Sequence, residues 1–289
     1  MTDQTCTTEV TRLPDPVESA PLALPSTLLV KHIGAAWHVT LNRPAQRNAM
    51  SAQMAAELRA VLAEAQASPQ ARVIVLRGAG GQFCGGDEVG DFAAPPDTAA
   101  SPPAGLDSVA DSNASVGALY AALADCALAV VVVVEGVAAA SGIALACVAD
   151  VVIAGQHATF QLHDAAQGLV PAQLAGWLVE RIGYAQARRL AVTGGTLDAN
   201  SALALGLVHQ VHARGALDRA VADLLRTILR NAPGAVAATK RLMAQSRQQS
   251  VRERIETAAA AFSLSITSDE AVEGRLASLQ KRKPTWAAA

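Results

Sequence analysis

Two stretches hold the residues best placed to do chemistry. One is Phe83-Cys84-Gly85-Gly86-Asp87-Glu88-Val89; the other runs from Gly136 to Asp150 (GVAAASGIALACVAD). Each puts small residues at the start of a predicted helix, directly after a hydrophobic strand: Val73 to Leu76 before the first, Val130 to Val134 before the second. A helix start leaves backbone N–H groups unpaired and carries partial positive charge. Two such ends turned to one point form a pair of donors for a carbonyl oxygen that becomes negative during reaction. Small residues let that carbonyl approach the backbone. Tight strand-to-helix packing without a ligand is the plain alternative for both turns.

The surrounding pattern reads as α/β at the front and helical at the back. Leu28-Leu29-Val30 and Trp37 to Leu41 flank Gly34 as a β-hairpin. Ser51 is placed to cap a helix from Ala52 to about Ala65, which Ser68-Pro69 breaks. Arg72 to Arg77 is a buried strand, Val116 to about Ala127 a helix, Val130 to Val134 a central strand and Ser141 to Ala149 a helix. Val151 to Ala154 and Thr159 to Gln161 are further strands. Helical patterns cover 172–182, 185–193, 200–205, 217–230, 233–245, 251–266 and 269–281. Residues 93–114 are polar, proline-rich and patternless, and are read as a lid over the site or as a disordered stretch. The expected regions are a loose tail over 1–26, a core over 27–200 and a helical region over 201–289.

Composition narrows the function classes. With 51% hydrophobic and 17% charged residues the chain is globular. A net charge of −2 gives no basis for nucleic-acid binding. Cys6, Cys84, Cys126 and Cys147 form no CxxC pair and no zinc spacing, so no metal site is expected, and buried free thiols fit a cytoplasmic protein. His32 and His38 are read as surface residues, and His209 and His212 have no metal-like spacing with carboxylates. Neither a membrane span nor a signal peptide is expected.

From about Leu28 to Trp286 the chain resembles the crotonase (enoyl-CoA hydratase/isomerase) superfamily. The resemblance is carried by LNRPAQRNAM (41–50), RVIVLRGAGGQFCGGDEV (72–89), EGVAAASGIALACVADVVIA (135–154), TGGTLDANSALALGLV (193–208), LGLVHQV (205–211) and EAVEGRLASLQKRKP (270–284). It implies a spiral core of repeated ββα turns followed by a helical trimerisation region, assembling as a homotrimer or a hexamer. It also implies an acyl-CoA thioester substrate whose oxygen is held by the backbone N–H groups of Asp87 and Ser141, beside Gly85, Gly86 and Gly142. Coenzyme A then arrives within the substrate, and no resident cofactor is implied. Family glycine is replaced by Ser141, whose N–H donates equally well at negative φ. Arg47, Asn48, Ala49, Lys281 and Arg282 match residues that reach the CoA nucleotide; solvated surface charge is the alternative for each basic one. Ser278 stands where the family has an aromatic residue at the adenine edge.

The same resemblance implies two glutamates around one water in a hydratase, because an O–H and a C–H bond are exchanged on neighbouring carbons. The position for the first holds Ala144, whose methyl carries no proton; the position for the second holds Asp164, a carboxylate about 1.5 Å shorter in reach. Four outcomes follow. Asp164 alone suits an isomerase; a hydratase would recruit another acid, such as Glu88, Asp87 or one from the lid. A decarboxylase or hydrolase needs chiefly the two N–H groups, and a degenerate subunit would bind acyl-CoA without turnover. A hydrolase drawn from Ser141, His163 and Asp164 is a rival. The Pro171-Ala172-Gln173 run resembles a subset handling branched or carboxylated enoyl-CoA, such as isohexenylglutaconyl-CoA hydratase; a helix N-terminus with Pro171 near its first position is the alternative. Trp177 and Leu178 are read as core residues or as an acyl-tunnel wall. Asp150 is read as a local backbone cap.

Overall fold

A computed structural model describes residues 25–88 and 106–287. The chain enters through β1 (Leu28–Ile33) and β2 (Ala36–Leu41), an antiparallel hairpin in register from Leu28 opposite Leu41 to Ile33 opposite Ala36. Gly34 closes it at φ +57°, a left-handed conformation that favours glycine. Helix α1 (Ala52–Ala67) starts where Ser51 accepts a hydrogen bond from the Met54 N–H, and buries Met54, Leu58, Val61 and Leu62. Strand β3 (Val73–Gly78) pairs parallel with β2; helix α2 (Leu106–Ala124) precedes β4 (Ala129–Val134), which pairs parallel with β3. Strand β5 (Val137–Ala139) leads into α3 (Ser141–Val148), then β6 (Val151–Gly155) and β7 (Thr159–Gln161).

Helices α4 (Leu174–Ile182) and α5 (Tyr184–Thr193) precede β8 (Thr196–Asp198), α6 (Ala199–Ala204) and β9 (Gln210–His212). Helices α7 (Leu217–Leu229), α8 (Pro233–Ser246), α9 (Val251–Ile266) and α10 (Asp269–Leu279) follow. The large sheet has the order β1-β2-β3-β4-β6-β9, and a second sheet runs β5-β7-β8. This mixed α/β arrangement with a helical C-terminal region agrees with what the resemblance implies.

Alternation along the parallel strands sends side chains to two cores. Ile74, Leu76, Val130, Val132 and Val134 join the larger cluster, while Val73, Val75, Val131 and Val133 pack toward Leu217 and Val221 of α7. With both faces covered, β4 is buried along its whole length, as its run of valines requires.

Residues 93–105 of the expected lid lie outside the described residues, as do residues 1–24 of the expected tail. Three differences from the sequence reading have local causes. Residues 106–114, expected to be irregular, form the first half of α2. Polar residues dominate its composition there, yet Val109, Val116, Tyr120 and Leu123 keep helical spacing. Strands β5 and β8 have three residues each, too few for alternation to register. His38, expected at the surface, is half-buried, and burial pushes its pKa down.

Candidate active site

The turn after β3, the inner face of α2, the start of α3 and the segment before α4 line one cavity of about 450 Å³. Main-chain hydrogen bonds hold the turn in place. The Cys84 N–H donates to the Val137 carbonyl (3.0 Å), the Gly85 N–H to Arg47 (2.8 Å) and the Glu88 N–H to Met50 (3.0 Å). The Gly86 carbonyl accepts from the Met50 N–H (2.8 Å), and the Cys84 carbonyl from the Ala139 N–H (2.9 Å). Gly86 sits at φ +111°. A Cβ on Gly142 would lie 2.8 Å from the Cys84 carbonyl oxygen, so α3 packs against the turn only because that side chain is missing.

Within this frame, and among the described residues, neither the Asp87 N–H nor the Ser141 N–H has a hydrogen-bond acceptor. Both residues line the cavity. Ser141 opens α3, and its φ is not positive. The strain falls one residue earlier, where Ala140 is held at φ +37°. Ala172, across the same cavity, lies at φ +26°. Conformations this sparse cost about 1–3 kcal/mol each and persist where the surroundings over-determine them.

The side chains add an arrangement that the sequence reading did not assemble. The buried Tyr120 hydroxyl donates to Ser141 Oγ (2.6 Å), and the Ser141 hydroxyl donates to Asp87 Oδ1. Burial raises the Asp87 pKa; the Ser141 hydrogen bond opposes this and the negative charge of Asp164 adds to it. Burial, with Asp87 nearby, also pushes the Tyr120 phenol well above its ordinary range, so it stays a neutral donor. Asp164 lines the cavity from the first position of a short 3-10 turn, Asp164–Gln167. Two carboxylates therefore face one space. The signal for Tyr120 was faint: a tyrosine on an otherwise apolar helix face, in a chain with 3% aromatic residues.

Glu88 also lines the cavity, but both its oxygens are taken by Arg43, at 2.8 Å each. Those hydrogen bonds hold its carboxyl below the ordinary range. The Ser141–His163–Asp164 arrangement does not form: Ser141 is bonded to Tyr120 and Asp87, and the His163 ring nitrogen Nε2 lies 3.0 Å from Thr196 Oγ1. Ala144 is fully buried within α3 and is not part of the cavity wall.

The residues expected near the nucleotide are dispersed. The Asn48 side chain is buried and spent on the loop, accepting from the Arg43 N–H (2.9 Å) and donating to the Ala79 (2.9 Å) and Gln82 (2.8 Å) carbonyls. Arg47 takes a left-handed φ of +52° and supports the turn through its carbonyl; the Ala49 carbonyl accepts from Arg43 (3.1 Å). Arg282 is exposed and pairs with Glu273 (2.6 Å); Lys281 and Ser278 are exposed and stand apart from the cavity wall. Leu178 is buried in the core and Trp177 packs beside it under the Arg247 guanidinium, so both belong to packing. Asp150 accepts from the Val130 N–H (2.7 Å) and pairs with Lys240, a capping role.

A family model described as enoyl-CoA hydratase/isomerase matches residues 33–289. The peroxisomal Delta(3,5)-Delta(2,4)-dienoyl-CoA isomerase of Arabidopsis thaliana is 29% identical over 87% of this chain and 92% of its own length. The 2,3-dehydroadipyl-CoA hydratase of Escherichia coli is 28% identical over 86% of this chain and 93% of its own. The structure of Pseudomonas aeruginosa AtuE superposes with a TM-score of 0.85 at 41% identity, over 91% of this chain and 100% of that one.

Proposed function

The chain belongs to the enoyl-CoA hydratase/isomerase family, and from that membership we propose that it processes an acyl-CoA thioester by moving a proton at the α-carbon. The thioester oxygen accepts from the N–H groups of Asp87 and Ser141, and Asp164 gives and takes the proton. The observation that carries this reading is that Asp87, Ser141 and Asp164 line one cavity. Two N–H groups without acceptors stabilise an enolate oxygen more than the ground-state carbonyl, because the charge develops there. Relatives of both reaction types, a hydratase and an isomerase, share most of this chain's length.

The test is product analysis by mass spectrometry on butenoyl-, 3-methylbutenoyl- and carboxylated enoyl-CoA thioesters, together with Asp164→Asn. That variant is expected to lose turnover by about 100-fold or more, the usual worth of a positioned acid–base group, while binding the thioester nearly as well as the parent. Equal activity in the variant removes Asp164 from the mechanism. Tight binding with no product from any thioester would mark a binding subunit instead.

A further inference from the structure

We propose that the Asp87 carboxylate is a second acid–base group, set in place by Ser141 and Tyr120, and that with Asp164 it makes this site a hydratase of 2-enoyl-CoA thioesters. The inference rests on the acyl-CoA reading above and goes past it in assigning a reaction and a residue. A single carboxylate is enough to shift a double bond, by removing and returning one proton. Adding water needs a group to take the O–H proton and another to supply the C–H proton. Ala144 supplies neither. Glu88 is bound on both oxygens by Arg43. Asp87 has one oxygen on the Ser141 hydroxyl and shares its cavity with Asp164.

The step balances without any further reagent. The water oxygen bonds to C3 while Asp87 takes one of its protons. The C2–C3 π pair moves into an enolate, whose oxygen lies on the two N–H groups. The Asp164 carboxyl then gives its proton to C2 as the electron pair returns. Asp87 finishes protonated and Asp164 ionised, and one proton passes between them through solvent before the next turnover. The groups facing Asp87 suit it to this work. Tyr120 and Ser141 are neutral donors from α2 and α3, and burial raises its basicity. The Cys84 thiol in its own turn stays neutral, its pKa pushed up to about 12 by burial.

The experiment follows two reactions in one preparation. One is hydration of whichever enoyl-CoA of the panel reacts fastest; the other is exchange of the α-proton of butyryl-CoA with deuterated solvent, which needs only Asp164 and the N–H pair. Asp87→Asn is expected to cut hydration by about 100-fold or more and to lower the ratio of hydration to exchange at least tenfold; a cooperative thermal transition reports that the variant is folded. Equal losses in both would overturn the role. Tyr120→Phe removes only the hydroxyl. With a weaker donor on its oxygen the Asp87 carboxylate is less stabilised, so the acidic limb of the kcat–pH profile should move to higher pH with KM changed less than twofold. An unmoved limb would remove Tyr120 as a positioning residue. Exchange without hydration of any thioester by the parent protein overturns the hydratase assignment while leaving the acyl-CoA reading standing; absence of both sinks the two together.

Discussion

At the scale of single residues, Asp87 is held where its charge is costly. Its carboxyl is raised by burial and by Asp164, so the ionised form is less welcome in the fold than in the unfolded chain. The sign follows from linkage: the penalty is complete above the raised folded pKa and disappears below the ordinary value of 3.8. Asp87→Asn is therefore expected to raise the melting temperature at pH 7, and the gain should shrink as the pH is lowered toward 4. Thermal unfolding across that range checks it, and a variant less stable than the parent at neutral pH would show that the Ser141 hydrogen bond outweighs burial. A gain in stability with a loss of turnover is the pattern expected where a site is kept strained for function. The turn at 83–88 and the start of α3 were legible in the sequence because runs of small residues after a hydrophobic strand have a compositional signature. The Tyr120–Ser141–Asp87 hydrogen bonds were not, because Tyr120 and Asp87 are 33 positions apart and only packing brings them onto the same serine.

Among the elements, the contact between the turn after β3 and the start of α3 decides whether the two N–H groups share a target. Gly142→Ala would place a Cβ 2.8 Å from the Cys84 carbonyl oxygen, a backbone atom that cannot swing away, so one element must yield. Overpacking of this kind costs about 1–3 kcal/mol. Here it should also lower kcat, since the N–H groups of Asp87 and Ser141 move apart; denaturant unfolding and steady-state kinetics read the two effects. A second junction ties the entry of β1 to α1. Glu57 accepts from the Thr27 N–H (2.9 Å) and hydroxyl (2.6 Å), and from the Ser26 N–H (3.1 Å). Although burial opposes it, these hydrogen bonds lower its pKa from 4.5 to about 2. A depressed carboxyl stabilises the fold above its unfolded value and loses that contribution as pH falls through the folded one. Glu57→Gln is expected to cost about 1 kcal/mol at pH 7, with the difference from the parent fading between pH 4.5 and about 2. A difference independent of pH would assign the loss to packing. Most helices and the long strands were readable from periodicity; the start of α2 was masked by polar composition, and β5 and β8 exist only through their partner β7 in the second sheet.

For the whole molecule, α9 raises the question of what covers it. Val251, Ile255, Phe262 and Ile266 fall within about 60° of one another around the helix axis at 3.6 residues per turn, and each is between 42% and 71% exposed. Val272 and Leu279 of the next helix are exposed as well. An isolated apolar residue at a surface is ordinary, but a stripe that runs the length of a helix signals an interface. The Ser250–Glu253 capping box fixes where that helix begins, so the stripe is presented in a defined register. A second copy of the chain is the expected cover, in the trimer or hexamer that the family resemblance implies. Sedimentation at micromolar concentration should then give a mass several times 29.6 kDa. Ile255→Glu combined with Phe262→Glu should shift it to the monomer, because buried unpaired charge is far more costly than the hydrophobic contact is favourable. A parent protein that sediments as a monomer would leave this stripe without a self-partner.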